Sequence, residues 1–248
     1  MCTLIILRVP TRDWPVLVAA NRDEMAGRPW DPPGRHWDDR PEVVAGRDRL
    51  AGGAWLGLND HGVVAAILNR VGTLGPQAGK RSRGELVLEA LDHADAVEAA
   101  GALSHLDGRA YRPFNMVVAD NRDAFWVRAD GGPRVRVVPV ADGLHMLTAL
   151  DLDDPASPRV AAYLPRFRAA RRPDPASGDW AAWQKLLADP GSGADGEEMP
   201  AMCFTRSDGF GTVSSSLIAL PAMGLEAKPS WLFAAGRPDR ATFTPVGA

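Results

Sequence analysis

MCTLIILRVPTRDWPVLVAANRDE, residues 1–24, opens the chain on two aliphatic runs. Thr3–Arg8 and Val16–Ala20 are rich in Leu, Ile and Val, and a Pro-Thr-Arg-Asp-Trp-Pro turn separates them. Short runs of this kind, bounded by Pro and polar residues, read as neighbouring β-strands. Asn21-Arg22-Asp23-Glu24 then reads as a polar loop leaving the second strand, the kind of place where a rigid scaffold carries functional side chains.

Working outward, a Pro- and Trp-rich irregular stretch extends to about residue 40. Strands are expected at Ala54–Leu58 and Val63–Leu68. Asn59-Asp60-His61-Gly62 forms the hairpin turn between them, with Gly62 in a left-handed position. Ser82–Leu106 reads as helical. Ser82 and Glu85 have capping-box spacing, Leu86, Val87, Leu88, Ala90 and Leu91 make a broad apolar face, and Gly101 weakens the far end, so that two helices could form. Strands are expected again at Phe114–Ala119, Ala124–Arg128 and Arg134–Val140, and helices at Pro158–Ala170 and Trp180–Ala188. Gly191–Glu197 is a small acidic loop, and Ala201–Thr205, Thr212–Leu220 and Trp231–Ala235 return to strand. Strands, helices, strands, helices, strands is not the alternation of a parallel sheet. It predicts antiparallel sheets covered by helices. Without a repeat or a clear linker, residues 1–248 read as one domain.

The 248 residues are 46% hydrophobic and 24% charged, enough to bury a sizeable core. A net charge of −3 offers no electrostatic footprint for nucleic acid or an anionic membrane. The longest apolar runs, 16–20 and 62–68, fall far short of the ~18–20 residues a spanning helix needs. The N-terminus has neither a basic leader nor a small-residue cleavage site and reads as a strand. Two cysteines make neither a disulfide framework nor a zinc pattern, and a reducing cytoplasm is the expected compartment.

Cys2 is the first chemical candidate. An initiator Met before a small residue is normally trimmed, which would make Cys2 the N-terminus. Its thiol would then be a nucleophile, and its α-amine, with a reference pKa near ~8, the base. Position alone carries little weight, because Cys in an apolar strand is usually a small core residue. Arg22 and Asp23, side by side, could fix a thiol, an amine or a substrate carboxylate; yet Asn121-Arg122-Asp123 repeats the tripeptide in what reads as a plain hairpin. Asn69, closing the strand after Gly62, could aim its amide at a developing oxyanion or simply cap a turn. Among five histidines none has metal-ligand spacing, so no metal site is expected; His145 is kept as a pocket candidate. GxSxG, Walker and dinucleotide motifs are absent.

Taken together, several motifs resemble one family. They are Met1-Cys2-Thr3, Ala20–Glu24, Ala45-Gly46-Arg47-Asp48, Gly52–Gly57, Ser82-Arg83-Gly84, Pro113-Phe114-Asn115, Phe210-Gly211-Thr212 and Ser214-Ser215. In this order they resemble the NRDE-motif proteins, also called the transport and Golgi organisation 2 family, which is similar to the choloylglycine-hydrolase branch of N-terminal-nucleophile hydrolases. The resemblance implies an α+β, four-layer αββα fold with two stacked antiparallel sheets. It implies Cys2 as nucleophile, Arg22 with Asp23 (or Glu24 in the place of Asp23) beside it, and Asn69 as oxyanion donor. Asn21, Glu24 and His145 are then the candidates for contacting substrate.

Two departures stand out. Thr148-Ala149 replaces a Ser-Asn pair of the family pattern, and Val213 replaces an Arg that follows Gly-Thr in the late strand. The resemblance implies either amide-bond hydrolysis of a small molecule, needing no cofactor, or haem handling by a pocket with soft or imidazole ligands. A fold that has lost catalysis and binds a partner is the third expectation.

Overall fold

The computed structural model describes residues 2–191 and 200–247. Most of the expected acidic loop at 191–197, and Met1 with it, lie outside the described residues. In chain order the elements are β1 (Thr3–Arg8), β2 (Val16–Met25), β3 (Trp30–Gly34), β4 (Val43–Asp48), β5 (Ala54–Asn59), β6 (Val64–Asn69), α1 (Gly84–Leu91) and α2 (Ala96–Ser104). After a single 3-10 turn come β7 (Phe114–Ala119), β8 (Ala124–Ala129), β9 (Val135–Pro139), β10 (Gly143–Leu147), α3 (Pro158–Ala169), α4 (Ala181–Leu187), β11 (Phe210–Leu220), β12 (Ser230–Ala234) and β13 (Phe243–Pro245). The chain forms two compact units. One holds Met1–Arg28, Asp142–Pro221 and Glu226–Val246, and the other holds Pro29–Ala141 with Ala222–Leu225 and Gly247–Ala248.

The first unit is a six-stranded sheet in the order β10-β1-β2-β11-β12-β13, antiparallel at every pair. Because side chains alternate along a strand, Ile5, Leu17, Ala19, Leu217 and Ala219 share one face. That face packs on Val160, Tyr163 and Phe167 of α3 and on Trp183 and Leu187 of α4. Helix α3 starts at Pro158, where the sequence places it, with Ser157 accepting the Val160 N–H as its N-cap. Phe167 and Trp180 each meet Trp183 edge-on, at centroid distances of 5.6 and 6.2 Å. Burying side chains of this size contributes roughly 2–3 kcal/mol each.

The second unit is a seven-stranded meander, β3 to β9 in chain order. Helices α1 and α2, inserted between β6 and β7, cover the face that carries Val63, Ala65, Phe114, Met116 and Val127. The hairpin turn forms as expected, with Gly62 at φ 86°. Buried Asn59 locks it by accepting the Val63 N–H and donating to the carbonyls of Leu91 and His93. Two of the quoted motifs meet as backbone: a Cβ at Gly53 would stand 2.5 Å from the carbonyl carbon of Gly84. The turn before β5 and the start of α1 can touch only because neither residue has a side chain.

Several local expectations are corrected. Ser82 and Glu85 do not close a capping box; the helix begins one residue later at an N-cap Arg83 without a side-chain cap bond, and Glu85 is drawn instead to Arg81 at 2.6 Å. The region does form two helices, with the break at 92–95, because Asp95 takes an extended conformation and caps α2 through the Glu98 N–H; Gly101 lies inside α2. The irregular Pro-rich stretch contains β3, an edge strand where Pro32 and Pro33 sit at a register irregularity between Asp31 and Gly34, positions that tolerate a missing N–H. Ala201–Thr205 is not a strand; the N–H groups of Met202 and Cys203 both reach the Asp189 carbonyl.

Candidate active site

Asn21-Arg22-Asp23-Glu24 is not a loop: it is the continuation of β2, which extends to Met25. The polar residues are held in strand conformation because strands flank them on both sides. Thr3 of β1 lies opposite Asn21, and Ser215, Ser214 and Thr212 of β11 lie opposite Asn21, Arg22 and Asp23. Alternation places Thr3, Asn21 and Asp23 on the helix-covered face with Ile5 and Ala19, and directs Arg22 to the opposite face with Val18 and Ala20.

Each polar group on the helix-covered face is satisfied. Asn21 is 1% exposed; its amide donates to the carbonyls of Leu187 and Met202, both at 2.9 Å, and accepts from Ser215 Oγ at 2.8 Å. Asn21 therefore braces the end of α4 against the sheet. The Asp23 side chain is fully buried, and Arg159 Nη1 stands 3.1 Å from its Oδ2. Thr212 Oγ1 donates to its Oδ1 at 2.8 Å, and Arg159 Nη1 also donates to Thr3 Oγ1 at 2.7 Å. Thr212 reaches this carboxylate because the register slips between Thr212 and Ser214. Val213 is the extra residue of that β-bulge, a device that re-aims neighbouring side chains.

Cys2 is half-buried and sits against the main chain of Asp23. The Asp23 N–H donates to its Sγ at 3.4 Å, and the thiol donates to the Asp23 carbonyl at 3.5 Å. Burial pushes the Cys2 thiol above the ordinary thiol range and the negative charge of Asp23 adds to this, while Arg22 pulls it down. The surroundings alone do not favour a thiolate.

The other sequence candidates lie as follows. Glu24 turns back on its own segment, accepting the Met25 N–H and facing Arg28 at 3.7 Å. His145 lies on β10 opposite Ile6, four residues along β1 from Cys2, or ~13 Å at strand rise. Its Nδ1 is 2.6 Å from Asp153 Oδ2. Burial works against the Asp153 charge, yet His145, the Met146 N–H and Arg168 together hold this carboxyl below its usual range. Asn69 is the last residue of β6, opposite Phe114 and partly exposed. Thr148 is buried, with its hydroxyl 2.9 Å from Ser157 Oγ at the start of α3. Among the described residues no group of three or more His, Cys, Asp or Glu is placed to hold a metal, and no helix is long and apolar enough to cross a membrane.

Arg159 is the member the sequence reading missed; Thr3 and Thr212 stood only inside quoted motifs, with no site role given to them. Ser157-Pro158 marks the helix start and so puts Arg159 in a first turn. Its partner lies 136 residues away, a pairing no local signal encodes.

The profile of the family described as Transport and Golgi organisation 2 matches residues 1–179. The chain belongs to that family. The human Transport and Golgi organization protein 2 homolog is 35% identical over 111 residues, covering 42% of this chain and 38% of the human protein. The Bos taurus homolog is 33% identical over 150 residues, 56% of this chain and 52% of that protein. The chain thus spans about half or less of the relatives it matches. Among solved structures it is similar to a Caenorhabditis elegans N-acylethanolamine-hydrolyzing acid amidase ortholog, with TM-score 0.57, 14% identity, and 88% of this chain and 92% of the other covered. It is also similar to penicillin V acylase from Agrobacterium tumefaciens, with TM-score 0.50, 14% identity, and coverages of 95% and 83%. At these identities the likeness establishes the fold, an α+β fold of the N-terminal-nucleophile hydrolase type.

Access separates the two thiols. Cys203 is 1% exposed, and burial together with its bond to Asp239 pushes its thiol up to about 11. At pH 8 only about one in a thousand such groups is a thiolate. Iodoacetamide is expected to label Cys2 faster than Cys203, as read by peptide mapping. Equal labelling, or labelling of Cys203 alone, would make Cys2 a structural residue.

Proposed function

We propose that this chain is a cysteine N-terminal-nucleophile hydrolase that cleaves an amide (C–N) bond of a small molecule, with Cys2 as nucleophile once Met1 is removed. One observation carries the reading: the Cys2 sulfur is held by both backbone groups of Asp23, at the start of a strand, in a fold shared with an amidase and an acylase. Burial and Asp23 keep the thiol protonated, so attack requires a base. In the mature chain the Cys2 α-amine supplies it.

The amine takes the thiol proton as sulfur attacks the amide carbonyl carbon. The Asn69 amide stabilises the oxyanion of the tetrahedral intermediate. The C–N bond then breaks, the proton passes to the leaving nitrogen, and water, deprotonated by the same amine, hydrolyses the thioester. Arg22 steadies the thiol from its own face of the sheet, and Asp23 anchors the strand behind it. Ala149 and Val213 stand where polar residues are expected, so slow turnover is the prediction.

The test combines intact mass with an amine-release assay on a panel of N-acyl amides. Loss of Met1 and slow release abolished by Cys2→Ala are expected. A protein that retains Met1, or turnover that survives Cys2→Ala, would sink the reading. A Soret shift with micromolar haem that Cys2→Ala or His145→Ala weakens, without amide turnover, would replace it with haem handling.

A further inference from the structure

The Asp23 main chain holds the Cys2 sulfur, while its side chain is anchored on the other side of the strand by a different element. Both carboxylate oxygens are engaged, Oδ1 by Thr212 and Oδ2 by Arg159. Arg159 is well mounted for this. It stands in the first turn of α3, behind the Ser157 cap and Pro158. Its guanidinium lies 5.5 Å from the centroid of the Phe204 ring and also holds Thr3, the residue next to Cys2. One cation thus ties together both neighbours of the thiol, Thr3 in sequence and Asp23 in space.

We infer that Arg159 is a positioning residue for the Cys2 nucleophile, offsetting the Asp23 charge and fixing the strand segment that cradles the sulfur. The inference rests on Cys2 being the reacting group. Its physical basis is a balance of signs. The charged groups that act on the thiol are the Asp23 carboxylate, which raises it from across the strand, and the N-terminal amine and Arg22, which lower it; Thr212 of β11 gives the carboxylate a neutral hydroxyl. An isolated buried carboxylate beside the sulfur opposes a thiolate. The same carboxylate paired with a guanidinium at 3.1 Å opposes it less, because the two fields largely cancel. Val213 sits at the bulge that delivers Thr212 to the same carboxylate. The cation on the cluster comes from the helix side, from the first turn of α3.

The pH dependence of Cys2 alkylation in the full chain tests this, with intact mass recorded first so that all variants are compared in one processing state. Arg159→Met is expected to move the midpoint of the rate profile up by about one pH unit, a roughly tenfold slower reaction at pH 8. Arg159→Lys should restore most of the wild-type rate. An unchanged midpoint in Arg159→Met, or Arg159→Lys as slow as Arg159→Met, would overturn the inference. If Arg159→Met does not fold, Asp23→Asn and the double variant Asp23→Asn/Arg159→Met decide. The double variant should label more slowly than Asp23→Asn, and equal rates would overturn it. Alkylation reads the thiol whether or not an amide is turned over. Failure here is therefore distinct from failure of the hydrolase reading, which the amine-release assay reports.

Discussion

Arg159→Ala is expected to lower the stability of the chain by about 3–5 kcal/mol, the usual cost of leaving one member of a buried ion pair behind. The Asp23 side chain is 0% exposed and that of Arg159 14%, so water cannot take the place of the guanidinium without reorganising the end of the sheet. Thr212 would still donate one hydrogen bond, but a hydroxyl does not neutralise a carboxylate. Removing both charges should cost less. The double variant Asp23→Asn/Arg159→Met leaves no buried charge behind, and its deficit should be smaller than the sum of the single losses. Arg171 provides the contrast. Its pair with Asp179, at 3.4 Å with Arg171 80% exposed, is a solvated contact, and Arg171→Ala should move the urea midpoint hardly at all. Urea unfolding followed by circular dichroism reads these three variants and the single variants Asp23→Asn and Arg159→Met. An Arg159→Ala protein that unfolds at the wild-type midpoint would mean that the pair does not anchor β2.

The tripeptide Asn-Arg-Asp shows how far the sequence could be read. It occurs at 21–23 and at 121–123, and the two copies adopt opposite structures. At 121–123 the preceding Asp120 accepts the N–H groups of Arg122 and Asp123 through its side chain and closes a turn, as local turn chemistry predicts. At 21–23 the same letters lie inside a ten-residue strand. Their partners are Thr3 on one side and Ser215, Ser214 and Thr212 on the other, the last three brought by a strand almost 200 residues further on. Periodicity and turn residues are local signals, and they recovered β1, the β5–β6 hairpin, β7 to β9, α3 and α4 closely. They failed where long-range pairing decided the outcome. Strand β4 runs Val43 to Asp48 beneath a polar, Arg-rich pattern, and β10 is an edge strand that ends a glycine turn. Cys2 was legible as a candidate through the family resemblance, because its position alone reads equally as a small apolar strand residue. Arg159 was not, because an Arg near a helix start has many uses and only the fold names its partner.

Cys2→Ala is expected to abolish amide hydrolysis, and Asn69→Ala to lower its rate roughly 10²–10³-fold, the usual cost of one oxyanion donor. The two variants separate two roles. Without the sulfur no acyl-enzyme can form, so residual release above the background rate would place the nucleophile elsewhere. If Asn69 is the oxyanion donor of the proposed mechanism, its removal leaves the sulfur's attack in place and takes away a donor that acts mainly in the transition state. The loss should therefore appear in kcat with little change in KM. Asn69 is well suited to the comparison because its strand pairing with Phe114 is made by the backbone, and the side chain at this strand end is partly exposed. Truncation should leave the fold close to wild type. Asn59→Ala supplies the control for general damage. Asn59 is buried and ties the β5–β6 turn to the end of α1 through Leu91 and His93, so its loss should lower the melting temperature without selectively lowering kcat. If Asn69→Ala and Asn59→Ala reduce turnover equally, or if Asn69→Ala raises KM at unchanged kcat, Asn69 binds or supports and does not stabilise an oxyanion.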